Sequence, residues 1–201
     1  MTVERDRARL LELLRTLSFE RRKVVLVSGK ESDFYIDCKR TALTAEGHAL
    51  VGRVLWDRVR RLRPAVRAVG GLTLGADPIA SAIAMASWLD LEARQAGGGR
   101  ASPPQDDPVD AFIVRKEPKG HGTGQWIEGR KTIPDGSRVV VIEDVVTTGG
   151  SALKAIARCR AEGIVPVSCL ALVDRREGGR EAIEAQGVPL DAVFAREDFI
   201  S

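Results

Sequence analysis

The segment RVVVIEDVVTTGGSALKAI, residues 138–156, limits the fold more than any other part of this chain. A short apolar run bounded by charge reads as a strand buried on both faces, the habit of parallel sheets. Two adjacent carboxylates, Glu143 and Asp144, end it, and TTGGS then leads into a helix. In an open α/β sheet, ligands sit beyond the carboxyl ends of the strands, where this turn lies. The remaining sequence alternates in the same way. Strands are predicted at 66–71, 109–115, 138–144, 165–173 and 191–195, with helices at 76–91, 149–163 and 181–187 between them. An amphipathic helix at 3–17 and a second of about 18 residues, capped by Thr44 and stopped by Pro64, precede them. The fold class is therefore α/β, a central mostly parallel sheet flanked by helices, in one domain over residues 1–201.

The turn has the chemistry of an anion site. Thr147, Thr148 and Ser151 offer hydroxyls, while Gly149 and Gly150 let backbone N–H groups approach a ligand closely. The helix that follows adds unpaired N–H groups and a partial positive charge, so a phosphate monoester fits. The carboxylates cannot favour that same phosphate. They accept hydrogen bonds from the hydroxyls of a sugar that carries it, or they face a magnesium-bound ligand. A Walker-type loop and a dinucleotide-binding glycine fingerprint are both missing from the sequence.

A second segment, RKEPKGHGTGQWIEG at 115–129, places Arg115, Lys116, Lys119 and His121 among three glycines. Alone it reads as a solvated basic loop. Beside a phosphate site it reads as a lid over 117–131, closing on a departing polyanion and excluding water. Trp126 serves either as an anchor at the loop base or as a core residue. Residues 97–108, rich in glycine and proline, read as a surface excursion.

Composition removes several other classes. Thirty-one basic against 28 acidic residues leave a net charge of +3, too little for a nucleic-acid coat. The longest run free of Asp, Glu, Lys and Arg, Pro78 to Leu89, is too short to span a bilayer. The first ten residues are mixed in charge and lack the apolar region of a signal peptide. Three cysteines without a CxxC pair give neither a disulfide framework nor a zinc site, so the reducing cytoplasm is expected.

The 138–156 segment resembles the 5-phosphoribosyl 1-diphosphate (PRPP) motif of the type I phosphoribosyltransferases. Together with SGKESDFYIDCKR, GGLTLGADPIA at 70–80, the lid block and LVDRREGG at 172–179, the chain is similar to the orotate phosphoribosyltransferase family from about residue 20 to residue 180. The resemblance implies a small N-terminal hood over about residues 1–40, a flexible lid and a homodimer whose lid residues are shared across subunits. It implies that Arg115, Lys116, Lys119 and His121 contact the PRPP diphosphate. Glu143, Asp144, Val145, Val146, Thr147, Thr148, Gly149, Gly150 and Ser151 would hold ribose and 5-phosphate. Thr147 and Arg175 would meet orotate, with Tyr35 nearby. Asp144, Lys119 and His121 would act in catalysis, and Mg2+ would be held mainly through PRPP, without a direct protein ligand. Two positions depart from some members: Leu74 and Gly75 replace a Tyr-Lys pair, and Val27 replaces a lysine.

The other candidates have plainer explanations. His48 reads as a surface residue, Cys159 and Cys169 as core, and Arg60, Arg61 and Arg63 as a solvated helix end. Cys38 has no visible base partner. Asp77 reads as a helix cap, and the resemblance adds a place near the site. A purine phosphoribosyltransferase and a non-catalytic PRPP-sensing regulator are the rival functions. The regulator needs a basic nucleic-acid-binding element that this sequence does not display. Neither nucleic acid nor membrane is expected as a partner.

Overall fold

The computed structural model describes residues 2–22, 24–25, 31–97, 107–118 and 124–200. Helix α1, Val3–Leu13, starts at Thr2, whose hydroxyl accepts from the Arg5 amide, and widens into a π turn at Leu14–Ser18. Four two-residue strands follow: β1 Phe19–Glu20, β2 Val24–Val25, β3 Glu31–Ser32 and β4 Tyr35–Ile36. They form two antiparallel pairs, β1 with β4 and β2 with β3. A short helix α2, Lys39–Ala42, leads to α3, Ala45–Val59. Thr44 caps α3 as predicted, its hydroxyl accepting from the Gly47 amide at 3.0 Å.

α3 has 15 residues rather than about 18. Its last residues tighten into turns, with Arg61 and Leu62 donating three residues back. Arg60 and Arg61 are also not a merely solvated end. Both guanidiniums fold onto the Asp57 carboxylate at 2.8 Å.

The sheet then begins: β5 Ala68–Leu72, α4 Ala76–Ala96, β6 Asp110–Val114, β7 Ile127–Glu128, β8 Arg138–Val146, α5 Gly150–Ala161, β9 Val165–Asp174, α6 Gly179–Glu184 and β10 Leu190–Ala195. Single 3-10 turns lie at Arg130–Thr132 and Arg196–Asp198. α4 outruns its predicted end because Glu92–Gln95 are good helix formers, and Gly97 stops it. β7 lies inside the stretch read as a lid loop. Its Ile127 is fully buried and pairs with Val114, so packing makes a strand where the loop composition suggested none.

The six strands run in the order β10-β9-β8-β5-β6-β7, parallel except for β7. Their apolar side chains fill two layers. Val140 and Ile142 face a core built with α1, α3 and α4, while Val139 and Val141 face α5 and Ile183 of α6. The chain leaves β5 in one direction towards β6 and returns on the other side at β8. The β5/β8 boundary is thus the topological switch point, where the strand ends open a crevice.

Candidate active site

Four neighbouring parallel strands end at this crevice, and each delivers one part of the site. β9 ends at Asp174 and is followed by Arg175. β8 ends at Val146 and is followed by TTGGS. β5 is followed by Thr73–Gly75, and β6 by Arg115. The sheet order therefore sets these parts in a row: guanidinium, hydroxyl and amide cradle, glycine loop, cationic strand end.

The cradle is built by β8 and α5. Gly149 occupies the N-cap of α5 with φ +82°, a left-handed conformation that favours glycine, and no side chain caps the helix. Its first N–H groups thus have no side-chain partner, and Thr148, Gly150 and Ser151 are exposed around them. Thr147 is half-buried, while Val146 is buried beneath the turn. Below lies Gly179, where a Cβ would stand 2.5 Å from Val146 Cγ1 and 2.6 Å from the Thr147 carbonyl oxygen. Gly179 supports the cradle from the next loop. Its signal was the GG of RREGG, which closes the 172–179 block.

Asp144 and Glu143 meet different surroundings. Asp144 is half-buried, and its Oδ1 accepts from the Val145 amide at 3.0 Å. A Cβ on Gly75 would stand 2.5 Å from Asp144 Cγ and 2.5 and 2.6 Å from its two oxygens. The β5 loop thus rests directly on this carboxylate. Glu143 is 6% exposed. Burial, together with the adjacent Asp144 charge, pushes its carboxyl up to about 9, so it carries a proton in the free protein at neutral pH. Lys39 was missed in the sequence. Its ammonium pairs with Asp37 at 2.6 Å, and that bond, aided by the charge of Asp144, raises it above the ordinary lysine value.

At the far end of the row, Arg115 is engaged where β6 gives way to the stretch read as a lid. Its amide donates to the Trp126 carbonyl at 2.9 Å, and its guanidinium meets Glu128 at 3.0 Å and the Glu117 carbonyl at 3.2 Å. Lys116 is exposed; Lys119 and His121 lie outside the described residues. Trp126, partly buried, packs against the second core layer, and the Arg158 guanidinium of α5 lies over its ring at 3.4 Å. At the near end Arg175 is 7% exposed, paired with Glu177 at 2.9 Å, and lies 5.3 Å from the centre of the Phe34 ring. Phe34, rather than Tyr35, is the ring against Arg175; Tyr35 carries Arg22 at 4.0 Å.

Other candidates resolve without chemistry. Asp77 is the second residue of α4 rather than its cap, and its Oδ2 accepts from the Thr73 hydroxyl at 2.7 Å. His48 is half-buried, with Nδ1 3.2 Å from the Ala42 carbonyl. Burial raises all three cysteine thiols, Cys159 and Cys169 to about 12, so none is a ready nucleophile.

Comparison with known proteins agrees with this arrangement. Residues 68–188, more than half of the chain, match the phosphoribosyl transferase domain family. The orotate phosphoribosyltransferase of Sorangium cellulosum is 48% identical over 97% of this chain and 93% of its own length. That of Aquifex aeolicus is 45% identical over 87% of this chain and 85% of its own. The crystal structure of the Mycobacterium tuberculosis orotate phosphoribosyltransferase in complex with PRPP superposes with a TM-score of 0.73 at 38% identity, covering 98% of this chain and 99% of that one. With its strand-end row of subsites and this degree of likeness over nearly its whole length, the chain belongs to the orotate phosphoribosyltransferase family.

Proposed function

We propose that this protein transfers ribose-5-phosphate from PRPP to orotate, giving orotidine 5-monophosphate and diphosphate in pyrimidine nucleotide synthesis. The observation that carries the reading is the order of the strand ends. A buried guanidinium, a phosphate cradle with two carboxylates, and a cationic strand end follow one another across the sheet. That row matches, group for group, a base carrying a carboxylate, a ribose phosphate and a diphosphate.

In this reading the α5 amides and the hydroxyls of Thr147, Thr148 and Ser151 hold the 5-phosphate, while Glu143 and Asp144 accept from the ribose hydroxyls. Arg175 takes the orotate carboxylate, for which a planar fork of donors is suited. As the C1–O bond breaks, the ribose becomes oxocarbenium-like, and the Asp144 carboxylate stabilises that charge. Arg115, Lys116, Lys119 and His121 accompany the leaving diphosphate. Orotate N1 then attacks the opposite face, without a covalent enzyme intermediate.

Magnesium fits the donor chemistry, because the half-buried Asp144 carboxylate is a hard oxygen ligand. Among the described residues no three His, Cys, Asp or Glu side chains gather into a cage, so the ion is assigned chiefly to PRPP oxygens. When bound there it neutralises the charge the leaving group gains.

We further propose one catalytic unit over residues 1–201, working as a homodimer in the cytoplasm. Exposed Met85, Trp88 and Leu89 support a partner along α4. No helix among the described residues is long and apolar enough to cross a membrane.

The test follows orotate loss by ultraviolet absorbance with PRPP, with and without magnesium, and with adenine, guanine and uracil offered instead. Magnesium-dependent orotate loss matched by diphosphate release is expected. Turnover of a purine alone would make this a purine phosphoribosyltransferase. PRPP binding without turnover of any base would make it a regulator.

A further inference from the structure

The base side of the site holds a group that neither the phosphate cradle nor the lid requires. Arg175, Arg176 and Glu177 follow β9 in succession and go different ways. Arg176 has φ +56°, the left-handed region that a non-glycine residue enters at a cost, held there by its amide donating to Asp174 Oδ1 at 2.8 Å. That twist sends Arg176 outward, where it pairs with the exposed Glu197. It also brings Glu177 back onto Arg175, with Oε1 at 2.9 Å from Nη2. The same oxygen lies 3.9 Å from Arg196 Nη1, and Arg196 reaches Asp33 of the hood at 2.6 Å. Both guanidiniums lie against one ring, Phe34, at 5.3 and 5.4 Å from its centre.

We propose that Glu177 is the positioning residue for base recognition: its carboxylate fixes the rotation of the Arg175 guanidinium and ties it, through Arg196 and Asp33, to the hood. The inference rests on the assignment of Arg175 to the orotate carboxylate. A guanidinium recognises a carboxylate through two parallel N–H bonds, so its plane must be set before the ligand arrives. Nothing covalent sets that plane, and an arginine side chain carries considerable rotamer freedom. Glu177 restricts that freedom by holding one terminal nitrogen, beside the packing of the guanidinium against Phe34. Local strain at a residue with no ligand of its own is what a site shows when the neighbouring geometry matters more than the cost.

The assay measures wild type, E177A and E177Q with orotate and PRPP varied separately, alongside melting curves. E177A should raise the KM for orotate about tenfold, the order expected for a charge-assisted hydrogen bond lost from a positioning group. Its KM for PRPP and its kcat should stay within about threefold. E177Q keeps an acceptor of the same length and should return the orotate KM to within about threefold of wild type. An unchanged orotate KM in E177A would overturn the proposal. So would both KM values rising in step in both variants, the mark of a general structural role. A wild-type protein that turns over no orotate removes instead the reading on which this rests.

Discussion

Replacing Gly75 by alanine tests whether the β5 loop and the Asp144 carboxylate form one unit. The added methyl would lie 2.5 Å from Asp144 Cγ and 2.5 and 2.6 Å from its oxygens. Carbon atoms pack comfortably at about 3.5–4.0 Å, so one partner must give way by roughly 1 Å. The loop is poorly placed to yield, since it begins α4 and Thr73 is held by Asp77 at 2.7 Å. Asp144, at a strand end and half-buried, is the group that moves. A misplacement of about 1 Å at a reacting centre can cost about 100-fold, or about 2.7 kcal/mol. The expected result is that kcat/KM for PRPP falls by about that factor. Overpacking of this kind costs about 1–3 kcal/mol, and at this chain length each kcal/mol lowers Tm by about 2–4 °C. Orotate absorbance gives the first quantity and a circular dichroism melt the second. A variant retaining kcat/KM within about threefold would refute the argument, because Asp144 would then tolerate displacement. A Tm loss well beyond about 12 °C would refute it differently, by placing the damage in the start of α4.

Three further outcomes follow from the same site. Glu143, raised to about 9 when folded, has an ordinary value of 4.5. Between those values the folded chain keeps a proton that the unfolded chain has lost, so stability falls as pH rises, by at most about 1.4 kcal/mol per unit. E143Q should flatten that slope between roughly pH 5 and 9, and parallel Tm profiles for the two proteins would contradict it. Gly150 has nothing within 4 Å of an added Cβ, so G150A should leave Tm unchanged or slightly higher while raising the KM for PRPP at least about tenfold; an unchanged KM would mean that the phosphate does not approach that amide. K119A should lower kcat about 100- to 1000-fold without altering Tm, and an unaltered kcat would remove the lid from the mechanism.

The sheet and the cradle were legible because their signals are local. Apolar run, paired acids, TTGGS and helix are consecutive in sequence, and every element predicted from that pattern is present with shifts of a few residues at its ends. The Thr44 cap was readable for the same reason. What stayed hidden depends on which strands become neighbours. Nothing in GGLTLGADPIA announces that Gly75 will lie against Asp144, and nothing in RREGG announces that Gly179 will floor the cradle. Arg196 is far in sequence from both Asp33 and Glu177, so the charge chain on the base side exists only after folding. β7 escaped notice because two residues of strand lie in a glycine-rich, charged stretch whose composition indicates a loop. Arg115, read as one of the lid-block cations, follows the end of β6, and its Glu128 partner was not foreseen.

The base side of the site is stitched from the two ends of the chain. Phe19 and Phe34 of the hood pack with Phe199, and Phe194 joins them, while Arg7 donates to the Val193 carbonyl and Arg15 to that of Asp198. The N-terminal segment and residues 193–199 are thus joined by contacts that span nearly the whole sequence. Loosening these contacts would open the side on which Arg175 and Phe34 lie, while β8 and α5, which build the turn at 147–151, stay in place.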